Sequence, residues 1–296
     1  MKTFLSLLIV TLAEATIGIF VKLSDEQIPI MTLNFYRVFF ATIFLGVAMM
    51  FINKNFWKFP KKNIKDILII GALIAVQISS FNLAMRLTTV ANAVIFWSIA
   101  PFFVFIFSWL FLRERPKRQY IFIFLLALVG LFIAEPFGGG NASGNAIALI
   151  TGVVYAGAVT YMRHEGKTET GNDVFWFMLV ASLFLLPSIF IFGAGDLLVN
   201  SSSTLFGTTV PRLLWVVSLG IISTGVAYLF ISIVLKKINA NVYSLVDIIV
   251  SPIVAAVLAY FVFGEVPSNN VVIGGALLLA SGLWLTRGMS TSRKDY

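Results

Sequence analysis

The sequence predicts an all-α integral membrane protein of ten transmembrane helices, built as two five-helix repeats lying in opposite orientations. Three observations lead there. The 296 residues are 59% hydrophobic and 11% charged, with a mean hydropathy of +0.97, whereas soluble domains carry about 25% charged residues. Too few polar groups exist to face water, so lipid must solvate most of the chain. Next, Pro101 to Pro116 (PFFVFIFSWLFLRERP) returns at an offset of 151 as Pro252 to Pro267 (PIVAAVLAYFVFGEVP), with Glu114 on Glu265 and Arg86 on Lys237. A fixed offset without gaps marks an internal duplication. Finally, the first copy ends in basic RERPKRQ and the second in GEVPSNN, which has no basic residue; this charge difference puts the two ends on opposite membrane faces.

About 20 apolar residues cross a bilayer as a helix. On that measure the spans are 3–23, 29–52, 65–85, 92–112, 119–135, 144–162, 173–193, 211–235, 241–263 and 270–287. Lys2, the run from Phe4 to Leu12 and Ala13-Glu14-Ala15 imitate a signal peptide. The apolar character continues to Val21, so the segment reads as a retained membrane helix. GGGNASGN (138–145) divides a first repeat (1–137) from a second (146–296), and the Ser/Thr-rich stretch 195–210 reads as an insertion. With both termini inside, 17 of the 21 basic residues fall on inner segments; only Lys22, Arg86 and Arg212 fall outside, and Arg37 lies within a span. That bias places both termini in the cytoplasm, here of a cell membrane. Five helices per repeat is odd, so the second copy is inverted, the arrangement associated with alternating access.

Ten spans, the five-plus-five duplication, an Arg in the second helix (NFYRVFF) and the Pro…RE/GE-x-Pro endings resemble the EamA-type drug/metabolite transporter family across essentially the whole chain. The resemblance implies transport, with export the commoner direction and uptake or exchange also represented. It also implies that an Arg in helix two is common to members. Glu14 stands where many members have an aromatic–glycine pair.

Ionisable groups inside a membrane are expensive and point to function. Glu14, Arg37 and Asp247 are such groups. Glu14 and Arg37 are nearly equidistant from the turn at Asp25 and Glu26, so they are expected at similar depth, as a structural ion pair or as a site that opens to a charged ligand. Tyr243, Asp247 and Ser251 share one helix face. Rise per residue puts Glu14 about 16 Å and Asp247 about 9 Å from the inner face, a gap that suits a small ligand or a water chain. Asn34, Gln77, Ser80, Tyr155, Thr224 and Tyr228 are supporting polar groups, and Trp97 and the tyrosines can stack on a planar or cationic ligand. Pro101 and Pro252 are expected to be hinges, each freeing a carbonyl four residues back (Trp97 and Ile248). Glu114 and Glu265 are expected to cap or pair near the start of the following helix. His164 is expected in a solvated loop beside Arg163. Gly274, Gly275 and Gly282 suggest close packing and a homodimer through the fifth and tenth helices.

These residues predict a secondary transporter of small polar metabolites, amino acids or related zwitterions, working by alternating access. Arg37 would take a carboxylate, Glu14 or Asp247 an ammonium, and one of the acids a coupling proton. The alternative is an uptake carrier or exchanger for a quaternary amine or nucleobase. An intramembrane enzyme would need His pairs or a DxxxD motif, which the sequence lacks, so no enzymatic activity is expected. No metal or cofactor is expected: there are no cysteines and one histidine. No P-loop is present, and no basic patch with interleaved aromatics suggests nucleic acid.

Overall fold

The structure, a computed structural model, describes residues 2–24, 27–52, 58, 64–88, 93, 96–134, 141–168, 173–200, 209–264 and 269–291. Asp25, Glu26, Glu265 and Pro267 lie outside the described residues, as does 138–140 of the expected linker. Among the described residues the fold is helical, apart from one isolated bridge between Asn200 and Pro211.

In chain order the helices are α1 (Lys2–Ala15), α2 (Ile17–Leu23), α3 (Ile30–Ile52), α4 (Ile64–Leu87), α5 (Ala100–Leu112), α6 (Arg118–Ala134) and α7 (Ala142–Thr168). There follow α8 (Asp173–Leu185), α9 (Pro187–Phe192), α10 (Arg212–Gly220), a π-helical segment (Ile221–Val226), α11 (Ala227–Leu235), α12 (Ala240–Phe263) and α13 (Asn269–Thr291). Among the described residues, seven stretches are long and apolar enough to cross a membrane: 3–23, 30–52, 64–84, 142–164, 173–192, 212–235 and 240–263. Three shorter apolar helices accompany them at 100–112, 118–133 and 272–285. This is a multi-pass membrane protein.

Several expected spans are interrupted, each for a local reason. The first breaks at Thr16, whose hydroxyl donates to the Ala13 carbonyl at 2.6 Å, a back-bond that bends helices. The seventh breaks at Leu186, because Pro187 cannot donate to the preceding turn. The fourth begins as continuous helix only at Ala100. Pro101 therefore sits in a first turn, where a missing N–H costs nothing, whereas Pro252 lies inside α12. The Trp97 carbonyl packs against Gly152 of α7, where a Cβ would lie 3.0 Å from it. The expected linker also shortens, since residues 142–145 form the start of α7.

The helices pack mainly across the chain's two halves. α1 lies against the π segment, α11 and α12; α3 against α8, α10 and the π segment; α4 against α7 and α8; α5 against α7 and α12; α6 against α13. The α6–α13 contact is close because Gly130 faces Gly274: a Cβ on Gly130 would stand 2.9 Å from the Gly274 carbonyl oxygen. Without a hydrophobic force between helices in lipid, such small-residue contact supplies the packing. The outer faces of this pair stay exposed, with Phe122, Leu125, Val272 and Leu283 facing outward.

Candidate functional site

Glu14 is the last acid before the break that ends α1. Asp247 lies in α12, and Tyr155 in α7 donates its hydroxyl to Asp247 Oδ2. Ser251, one turn on, donates to Asp247 Oδ1 at 3.1 Å. The carboxyl groups of Glu14 and Asp247 come within hydrogen-bonding reach of each other. Arg37, Tyr228 and Tyr243 complete the cluster, close enough to act on the charge of Glu14. One guanidinium, two carboxyls and three phenols thus meet inside the bundle, from α1, α3, α7, α11 and α12.

The expected depth gap between Glu14 and Asp247 does not exist. Counting turns treats each span alone, whereas α1 packs against α12 and brings the two carboxyls together. Nor do Glu14 and Arg37 form an ion pair within 4 Å. Arg37 Nε donates instead to Thr224 Oγ1 at 2.7 Å. Thr224 belongs to the π segment and donates to Leu219 O, five residues back, at 3.1 Å, the spacing of an i→i+5 turn. Gly220, just before that segment, lets α3 approach: a Cβ there would stand 2.8 Å from the Arg37 carbonyl oxygen.

Around this centre, the Trp97 ring meets Tyr155 edge-on at 5.3 Å and Phe81 at 5.6 Å. Gln77 accepts from the Tyr228 hydroxyl at 3.3 Å. The structure therefore brings together Glu14, Arg37, Tyr155, Tyr228, Tyr243 and Asp247, with Trp97 and Gln77 touching them. Asn34 and Ser80 each bond to a neighbouring helix, while the buried Asn34 Nδ2 has no partner among the described residues. Asn34 accepts from Asn82, and Ser80 accepts from Thr151 at 2.8 Å. Sequence reasoning missed Asn82, Thr151 and the Thr16–Ser223 hydroxyl pair at 2.7 Å, since single small polar residues in apolar runs leave no pattern.

An apolar groove of about 440 Å³ lies elsewhere, between α3 and α8, lined by Phe35, Phe39, Gly46, Phe175 and Leu183 among others. It contains no charged residue and is unsuited to a polar metabolite. Two expectations outside the site also change. Arg163 is in α7 rather than in a loop, and pairs with Glu114 at 3.0 Å. His164 is likewise in α7, exposed, and in edge contact with the Tyr161 ring at 6.2 Å. Among the described residues no group of three His, Cys, Asp or Glu side chains can hold a metal ion.

The EamA-like transporter family matches residues 1–134 and 142–287. The chain belongs to that family. Among its relatives is the pseudopaline exporter CntI of Pseudomonas aeruginosa, 24% identical over 286 residues and covering 95% of both chains. An uncharacterized transporter of Archaeoglobus fulgidus is 24% identical over 269 residues, covering 90% of both. A solved crystal structure superposes with a TM-score of 0.79 over 100% of this chain and 99% of the other at 18% identity, a likeness of fold. Family and relatives make this EamA protein a membrane transporter rather than an enzyme.

Proposed function

We propose that this EamA protein is a secondary transporter that carries small zwitterionic metabolites, amino acids or their relatives, by alternating access between two inverted five-helix halves. The observation that carries the reading is the meeting of Arg37 with Glu14 and Asp247. The acids come from opposite halves of the chain, beside a broken helix and a proline-containing one. A substrate carboxylate pairs with the guanidinium of Arg37, and its ammonium takes the place between the two carboxyls. The two carboxyls lie within hydrogen-bonding reach of each other; one proton shared there leaves as the ammonium arrives, and that exchange couples transport to protons.

Helix packing supports two related halves, and an odd number of spans in each inverts the second. Renamed by position within each half, α1 against α11 corresponds to α7 against α4, and α1 against α12 to α7 against α5. The contacts α3–α8, α5–α12 and α6–α13 map onto themselves. Both termini are cytoplasmic on the Lys and Arg count. Export is favoured by the relative named an exporter. The exposed apolar faces of α6 and α13 are the proposed seat of a homodimer.

A second reading, a cationic or planar substrate, draws on the stack of Phe81, Trp97 and Tyr155, rings that attract cations when desolvated. Thermal-shift screening of the purified protein against amino acids, nucleobases and quaternary amines separates the two, because ligand stabilisation follows RT ln(1 + [L]/Kd). The best stabiliser, radiolabelled, is then followed into proteoliposomes. Accumulation of unaltered amino acid supports the proposal; binding without movement of any compound refutes it.

A further inference from the structure

We propose that the Arg163–Glu114 ion pair is a latch that closes the site toward the face carrying the 113–118 loop, and that it must break for the site to open there. This rests on the alternating-access reading above. The local backbone is built for the contact. Helix α5 ends on Arg113 at φ 57°, the one non-glycine residue with positive φ among the described residues. The Glu114 N–H then returns to Ser108 O, six residues back, at 3.0 Å, so the chain folds back over the end of α5. At offset 151 the same place is held by Gly264 at φ 68°, where the left-handed conformation carries no steric penalty. A strained non-glycine residue persists where its surroundings demand it, and here the turn delivers Glu114 inward to Arg163.

The pair is nearly dry, with the two side chains at 10% and 9% exposure. Arg163 uses all three nitrogens: Nε to Glu114 Oε1 at 3.0 Å, one terminal nitrogen to Leu235 O, the other to Asn239 Oδ1 at 3.3 Å. Asn241 Nδ2 donates to the Glu114 carbonyl at 3.3 Å. One guanidinium therefore ties together the ends of α5, α7 and α11 and the start of α12. Asp247 lies six residues beyond Asn241, about 9 Å along α12, and Tyr155 eight residues before Arg163, about 12 Å along α7. The latch thus holds the two helices whose Tyr155–Asp247 bond forms the centre of the site.

The opposite end of the bundle repeats the device with different chemistry. Lys22, in the last turn of α2, places its ammonium 4.3 Å from the centroid of the Phe263 ring. Phe263 matches Leu112 at offset 151. At each end, then, a cation from the first span of one half meets the end of the fourth span of the other.

The chain has no cysteine, so a single introduced thiol reports access. Ser244→Cys puts that thiol on α12 between Asn241 and Asp247, at a position with 0% exposure. A membrane-impermeant maleimide is applied separately to each face, using inside-out and right-side-out vesicles. With the latch intact, Cys labelling from the 113–118 face is slow. Adding E114Q, which keeps an oxygen for Arg163 Nε but removes the charge that balances the buried guanidinium, raises it on the order of tenfold or more; the swap E114R with R163E returns it to near the starting rate. If E114Q is not recovered as folded protein, R163K is read the same way, because it keeps the charge and loses the fork that reaches Leu235 and Asn239. An unchanged rate in E114Q, no recovery in the swap, or an equal rise from both faces overturns the latch. No substrate is needed for this readout. Substrate transport with unchanged labelling therefore refutes the latch alone, whereas the expected labelling with no transport of any compound refutes the proposed function alone.

Discussion

Asp247→Asn removes a negative charge while leaving a side chain of the same shape. Asp247 accepts from Tyr155 at one oxygen and from Ser251 at the other. An amide keeps one acceptor for Tyr155, and its NH2 group can donate to the Ser251 hydroxyl or to the neighbouring Glu14 carboxyl. Folding then loses no more than one neutral hydrogen bond, about 1 kcal/mol, which lowers the melting temperature by roughly 2–4 °C. Binding loses far more. A desolvated charge partner for an ammonium contributes about 2–5 kcal/mol, so affinity falls roughly 30- to 5,000-fold. The assay pairs thermal melts of the purified variant with counterflow of a radiolabelled amino acid in proteoliposomes. Wild-type counterflow in D247N, across pH 5 to 8, would refute a role for this carboxylate in binding or coupling.

Thr224→Val strands the Arg37 Nε–H inside the bundle. It should lower affinity for a carboxylate ligand by roughly tenfold, a hydrogen bond to a charged group being about 1.5–3 kcal/mol. Thr224→Ser should restore it, with a ligand titration deciding. Gly130→Leu crowds the contact of α6 with α13, where even a Cβ would stand 2.9 Å from the Gly274 carbonyl oxygen; overpacking of this kind costs about 1–3 kcal/mol, seen as a lower melting temperature with counterflow retained below it. Trp97→Ala removes the ring that steadies Tyr155 and should weaken planar cations more than alanine-sized zwitterions. Equal loss for both would refute an orienting role for the indole.

Much of this was legible in the sequence because the bilayer imposes strong rules. Apolar runs of sufficient length announced the membrane helices, and the cost of charge in hydrocarbon singled out Glu14, Arg37 and Asp247 from a long chain. The structure draws these three together with the tyrosines chosen beside them. What escaped depends on contacts between distant segments. The π segment that turns Thr224 toward Arg37 has no signature of its own in IISTGV. The break at Thr16 comes from one hydroxyl choosing a backbone carbonyl. The approach of Asp247 to Glu14 depends on α1 packing against α12, a contact between segments far apart in sequence. Arg163 itself read as a loop cation because its only visible neighbours were His164 and Glu165.

The account depends most on the two halves facing opposite ways. Single cysteines at Arg115 and Asn269, placed one at a time in the cysteine-free chain, test this with an impermeant maleimide applied to intact cells. Labelling at 269 from outside, and at 115 only after the membrane is opened, is the predicted result; labelling of both from the same face contradicts it.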